Sequence, residues 1–164
     1  MMKRGVTLIE LMIVLLVSGI VVFAVATQFV SVTYFRNMIE DQSVVTTEAN
    51  MAMHNMTKIL RYAKSSMPVT VTNNSSVTSL EATISGDGYL DGITSDKKVI
   101  FTHNKASGEF IYQLDISGTP RVIAKYISSF APAYDGVNEL LLKITAKKNI
   151  RSSSLESKVH FLGK

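Results

Sequence analysis

The sequence predicts an α+β fold, in which one long N-terminal helix packs on an antiparallel β-sheet head. Three observations predict it. Residues 11–26 are apolar or small without interruption, and Glu10 is the only residue charged at neutral pH between Arg4 and Arg36. From Val45 onward, apolar residues recur at helical spacing through Ala49, Ala52, Met56, Ile59, Ala63 and Met67. After Pro68 the apolar period changes to two, with β-branched runs separated by Gly, Asn and Ser.

The first element is a membrane span. A hydrocarbon core about 30 Å thick needs roughly 20 apolar residues at about 1.5 Å rise each, and residues 6–29 suffice. Gly19 and the β-branched residues Val14, Val17, Ile20, Val21 and Val22 weaken intrinsic helicity. Lipid enforces a helix regardless, because no water is present to satisfy the backbone. Lys3 and Arg4 precede the span and the next cation, Arg36, follows it. The positive-inside rule then puts the N-terminus in the cytoplasm and the head across the membrane.

The second element continues the helix over residues 30–67. The stripe from Val45 to Met67 is one face of an amphipathic helix. The other face carries Glu40, Asp41, Glu48, His54, Lys58, Arg61 and Lys64. Acidic residues come first and basic ones last, as the helix dipole favours. Pro68 ends the helix and turns Met67 away from helical angles. The period therefore predicts one helix ending near Ser66, roughly 90 Å long from residue 6. A free coiled coil is the rival, but the strand-rich sequence that follows needs an apolar partner.

The head occupies residues 68–164. Strands are expected over 69–72 and 77–84, joined by the turn Asn73-Asn74-Ser75-Ser76. The glycine-rich stretch 86–92 is a loop. Strands at 99–103 and 109–116 flank a hairpin turn at 104–108. Another runs from Arg121 through Ile127; Leu140, Leu142, Ile144 and Ala146 alternate in the next, and Val159 and Phe161 close the chain. Six or seven antiparallel strands would lay one face on the amphipathic helix.

Within the span, Glu10 is the anomaly. An intramembrane carboxylate costs several kcal/mol unless it is paired or neutralised. The residues around it explain its presence. Two basic residues, a glycine and the run Val6-Thr7-Leu8-Ile9-Glu10 precede the apolar helix. This resembles the prepilin-peptidase site of type IV pilins and type II secretion pseudopilins, and the whole layout is pilin-like. The resemblance implies a leader peptide of residues 1–5, cleavage after Gly5, and N-methylation of the new terminus at Val6 by the same peptidase. It also implies that Glu10 attracts the terminal amine of a neighbouring subunit during assembly. Implied partners are the prepilin peptidase, other pilin or pseudopilin subunits, inner-membrane lipid and an inner-membrane assembly platform. The implied location is the inner membrane, then a pilus or periplasmic pseudopilus.

Departures from the family pattern refine the resemblance. These families usually carry phenylalanine where this chain has Val6. Major pilins often have a proline near Thr27 and a C-terminal disulfide, whereas this chain has no proline before Pro68 and no cysteine. A Gly-Asp-Gly turn, a hairpin, the run Val-Ile-Ala-Lys-Tyr-Ile-Ser-Ser-Phe as one strand and a closing Val-His-Phe strand are similar to the larger minor pilins and minor pseudopilins. The reading is therefore a minor subunit.

Composition fits an anchored, exported domain. The chain has 164 residues and a formal net charge of +4, which loss of Lys3 and Arg4 lowers to +2. That balance does not by itself call for nucleic acid. Zero cysteines exclude disulfides, thiol catalysis and thiolate metal sites. Asp87, Asp91 and Asp96 lie in or near the glycine-rich loop and are weak calcium candidates, since calcium wants several oxygens from a short segment. The EF-hand spacing is absent, and Asp-Gly pairs serve ordinary turns. His54, His103 and His160 have no ligand spacing. Lys147, Lys148 and Arg151 form a small basic loop that could touch DNA or anionic lipid. No nucleophile elbow, phosphate loop or paired-carboxylate signature is present, so the expected role is structural rather than enzymatic. The alternative function is a competence-type pilin whose head binds DNA, which salt-dependent retention of DNA would reveal.

Overall fold

A computed structural model describes residues 7–64, 69–84, 95–115, 118–136 and 139–161. The chain divides into two compact units, Met1–Glu40 and Asp41–Lys164. The helix α1, Leu8–Leu60, contributes to both.

In the first unit α1 is apolar and uncovered. Leu8, Leu16, Phe23 and Phe29 are all more than 60% exposed, and the helix is long and apolar enough to cross a membrane. Its few hydroxyls are turned back on the backbone. Ser18 donates to the Val14 carbonyl at 2.7 Å, Thr27 to Ala24 at 2.8 Å and Ser31 to Thr27 at 3.0 Å. A hydroxyl satisfied in this way does not need water, which suits a helix in lipid.

In the second unit, α1 presents Val45, Ala49, Ala52, Met53, Met56, Ile59 and Leu60 to the core. The helical stripe predicts this face except for Met53 and Leu60, which widen it. The helix ends earlier than the expected Ser66. Tyr62 N–H donates to the Ile59 carbonyl at 3.1 Å and Ala63 N–H to that of Leu60 at 3.0 Å, the tighter i→i−3 pattern of a terminating turn. Ala63 then bridges to Ile84, and Lys64 N–H donates to the Thr83 carbonyl at 2.9 Å. A sheet edge thus takes the backbone before Pro68 can act. Residues 65–68 lie outside the described residues.

Among the described residues there are eight strands rather than six or seven, in two sheets. The first sheet has the order β1 (Thr70–Asn73), β2 (Val77–Ile84), β3 (Lys97–Asn104), β4 (Phe110–Leu114), β5 (Arg121–Ala124). The second has the order β6 (Ile127–Tyr134), β7 (Glu139–Lys148), β8 (Arg151–His160). All pairings are antiparallel between consecutive strands. Alternation places Leu80, Ala82 and Ile84 of β2, Val99 and Phe101 of β3, and Leu140, Leu142, Ile144 and Ala146 of β7 in one hydrophobic cluster with the helix face. Phe110 stacks on Phe101 with ring centroids 6.2 Å apart and meets Phe130 of β6 edge-on at 5.0 Å.

The expected single strand through Val-Ile-Ala-Lys-Tyr-Ile-Ser-Ser-Phe is a correction. It is β5 and β6, one in each sheet. The break falls at Lys125 and Tyr126. Lys125 N–H donates to Glu48 Oε2 of the helix at 2.6 Å, and Tyr126 has φ 60. A left-handed residue cannot continue a flat ladder, so the chain leaves the first sheet there. Ile127 joins the two sheets: its N–H donates to the Gly108 carbonyl at 2.8 Å, and its carbonyl accepts from His103 Nε2 at 2.8 Å. Gly108 has φ 69, and a Cβ on it would stand 3.3 Å from the Ile127 oxygen, so both backbone angle and contact require glycine there.

His103 is 1% exposed. Because a carbonyl only accepts, Nε2 carries the proton and the neutral ring leaves Nδ1 as an acceptor. Burial pushes the ring below its ordinary value of 6.5; the nearby Lys105 charge pushes the same way, and the Ile127 hydrogen bond opposes both. The folded state therefore binds fewer protons at this site than the unfolded chain. The stability it contributes is complete above pH 6.5 and is lost as pH falls through that value toward the lower folded one. Urea titrations of the head between pH 8 and 5 (about the range of histidine titration) should show stability falling with acidification. His103→Gln should flatten that slope, whatever its effect on absolute stability. An unchanged slope would assign the acid sensitivity elsewhere.

Candidate functional site

The start of α1 is built by two side chains. Thr7 N–H donates to Glu10 Oε2 at 3.0 Å, and Thr7 Oγ1 donates to the same oxygen at 3.2 Å. Glu10 N–H in turn donates to Thr7 Oγ1 at 3.3 Å. The first helical bond, Leu11 N–H to the Thr7 carbonyl at 3.2 Å, follows directly. This is a capping box, in which Thr at the N-cap and Glu three residues later satisfy each other's orphan donors. A carboxylate at this end is also favoured by the helix dipole. The bond to Thr7 is an addition to the expected role of Glu10, and Thr-x-x-Glu is the sequence signature that encodes it.

The box uses one carboxylate oxygen twice. Among the described residues, no donor reaches Glu10 Oε1. The side chains on the following turns, Leu8, Ile9, Leu11 and Met12, are exposed and apolar. Gly5 and Val6 lie outside the described residues.

The other sequence candidates are dispersed. Asp87 and Asp91 lie outside the described residues. Asp96 is committed to an ion pair with Lys64 Nζ at 2.7 Å. Among the described residues, no three His, Asp or Glu side chains stand close enough to share a metal ion. His54 lies on the exposed face of α1, His103 is in the core, and His160 is on β8, 3.9 Å from Glu139. The basic loop is the β7–β8 turn. Lys148 Nζ lies 2.9 Å from Asp41 Oδ1, and Asn149 Nδ2 donates to Asp41 Oδ2 at 2.7 Å. The Asn149 hydrogen bond, followed by that of Lys148, holds the Asp41 carboxyl below its ordinary 3.8.

Comparison with known proteins bears on the N-terminus alone. Residues 1–26 match a family model described as the prokaryotic N-terminal methylation motif. No curated protein and no solved structure matches the chain. The match ends within the apolar helix and takes in Gly5, Val6, Thr7 and Glu10. The matched motif covers the first 26 residues and supports the resemblance of this N-terminus to type IV pilins and pseudopilins.

Proposed function

We propose that this chain is a minor pilin or minor pseudopilin: a structural subunit held in the inner membrane by residues 6–29, cut after Gly5, N-methylated at Val6, and then drawn into a filament through its N-terminal helix. The motif and the uncovered apolar helix support the coarser statement, a membrane-anchored type IV pilin-like or pseudopilin subunit. They imply a prepilin peptidase and other pilus subunits as partners. The finer reading rests on the missing proline near Thr27, the missing cysteines and the likeness of the head's order of turn, hairpin and strands to minor subunits.

One observation carries the assembly mechanism. Glu10 spends Oε2 on its own helix cap, and among the described residues no donor reaches Oε1. A carboxylate in lipid with an open oxygen seeks a donor, preferably a cation. Cleavage after Gly5 would create one, the amine at Val6, and in a filament the amine of an adjacent subunit could reach it. Pairing would relieve the desolvation cost and fix the axial register. The exposed apolar surface from Leu8 to Val25 would then pack helix on helix. Gly19, where an added Cβ would meet nothing within 4 Å, leaves room for close approach. Lys3 and Arg4, by the positive-inside rule, support an N-terminus in the cytoplasm and a head outside it.

Mass spectrometry of the subunit recovered from filaments or membranes tests the processing step. The mature chain should begin at Val6 and carry one added methyl group, and Gly5→Glu should leave the precursor uncut in the membrane. An intact Met1 in assembled material, or a terminus elsewhere, would end this reading.

A further inference from the structure

We infer that the β7–β8 turn is a membrane-surface contact of the head, with Lys147 on anionic lipid headgroups and Ile150 entering the interface beside it. The inference rests on the reading of residues 6–29 as a membrane anchor. Ile150 is 76% exposed, well beyond Val122 and Met51, the next exposed aliphatic side chains of this unit at 48%. A lone exposed aliphatic residue is ordinary. This one stands in a turn among Lys147, Lys148 and Arg151. Basic residues around a large apolar side chain are the pattern of segments that lie in a lipid interface.

The turn is held in shape from behind. Asn149 has φ 53, which presents Ile150 at the apex, and its amide is tied to Asp41. Lys148 is drawn back to the same carboxylate, and its ammonium stands 5.5 Å from the centre of the Tyr126 ring. Asp41 therefore neutralises Lys148 and leaves the charge of the exposed Lys147 to act outward, while Arg151 is half-buried with its Nε enclosed. No carboxylate among the described residues pairs with either Lys147 or Arg151.

The chain path limits how far this turn can stand from the bilayer. Asp41 is the first residue of its unit. Residues 30–41 separate it from the end of the apolar span and are helical, a stretch of about 18 Å. That stretch is the longest separation the chain path allows between Asp41 and the end of the span. The outward charge of Lys147 complements an anionic leaflet, and each Lys or Arg near such a surface strengthens contact about fivefold.

The full chain reconstituted in lipid vesicles tests this. Because the chain has no cysteine, Ser152→Cys carries a single fluorophore beside the turn. Nitroxide-headgroup lipid should quench it in phosphatidylcholine vesicles containing phosphatidylglycerol, and much less in phosphatidylcholine alone or in high salt. Lys147→Gln should lower the docked-to-free ratio about fivefold, and Ile150→Ser should lower it further. A label at Val21→Cys, read with acyl-chain nitroxides, reports the anchor separately. An unquenched label at position 152 with a quenched label at position 21 overturns the surface contact and spares the anchor. If position 21 is also unquenched, the anchor reading fails and takes this inference with it. Quenching that is indifferent to phosphatidylglycerol and to Lys147 refutes headgroup recognition. Protection that disappears on dilution of protein in lipid assigns the turn to a second copy of the chain instead.

Discussion

Glu10→Ala should insert and be cleaved normally, yet co-purify with its filament partners at least about tenfold less than the wild type, because loss of one member of a desolvated ion pair costs about 3–5 kcal/mol. Insertion should survive because the substitution removes a charge from the span. Cleavage should survive because the scissile bond lies outside the box. The capping box adds a complication and a means of resolving it. Alanine removes both the cap and the charge, whereas Glu10→Gln keeps a side chain that a capping box accepts and removes the charge alone. Thr7→Ala does the reverse, weakening the cap at a cost of about 1 kcal/mol and leaving the carboxylate. The glutamine variant should therefore assemble nearly as poorly as alanine, and Thr7→Ala within a few fold of wild type. Quantification at equal membrane abundance decides between them. Normal assembly of Glu10→Gln would mean that Glu10 serves only its own helix, and the register mechanism would be wrong.

The second large effect is expected in the core. Phe110→Ala should destabilise the head by about 3–5 kcal/mol and lower its melting temperature by more than about 10 °C. Phe110 is fully buried and is the ring through which the two sheets meet, stacked on Phe101 and edge-on to Phe130. Its loss leaves a cavity at that junction, and the ordered backbone on both sides restricts collapse. Val122 on β5 is 48% exposed, so Val122→Ala should cost less than about 1 kcal/mol. The measurement suits a chain lacking residues 1–30, since the hydrophobic cluster begins at Val45. That truncated chain should be a soluble monomer with mixed helix and strand; a helical oligomer would revive the coiled-coil alternative. Equal destabilisation by the two substitutions would mean that the sheets do not depend on this aromatic contact.

Much of the architecture was readable because its signals are periodic. The uninterrupted apolar run at 11–26 and the stripe from Val45 announce the helix, and strict alternation announces β2, β3 and β7. The hidden pieces are those where the period breaks. In β6 the register shifts between Ile127 and Ser129, so Ile127 and Phe130 are both buried at a spacing of three. The bulge erases the alternation a strand should show, and Pro132 argues against a strand except at a sheet edge, where β6 lies. β8 is also an edge strand: Ser152, Ser153, Ser154 and Ser157 make it read as a loop, and Val159 is its only fully buried residue. The helix end was misjudged because Ala63 and Lys64 bond to a strand lying far along the sequence, which no local rule anticipates. At the candidate site the motif is legible through Glu10, while its bond to Thr7 is a capping signal that hydropathy does not carry.

The order of the strands has a consequence for how the head comes into being. Every ladder joins strands adjacent in sequence, β1 through β5 in one sheet and β6 through β8 in the other. Topologies made of such local pairings have little loop entropy to overcome before contacts form. Among the described residues, no strand of the first sheet has a ladder partner in the second. A chain delivered N-terminus first, as in synthesis, can lay β1–β5 on the helix segment already present and add the last meander when it arrives. The late additions are the Ile127 junction and the Asp41 contacts with Lys148 and Asn149. Completion of the second unit is thus reported at the residue where that unit begins.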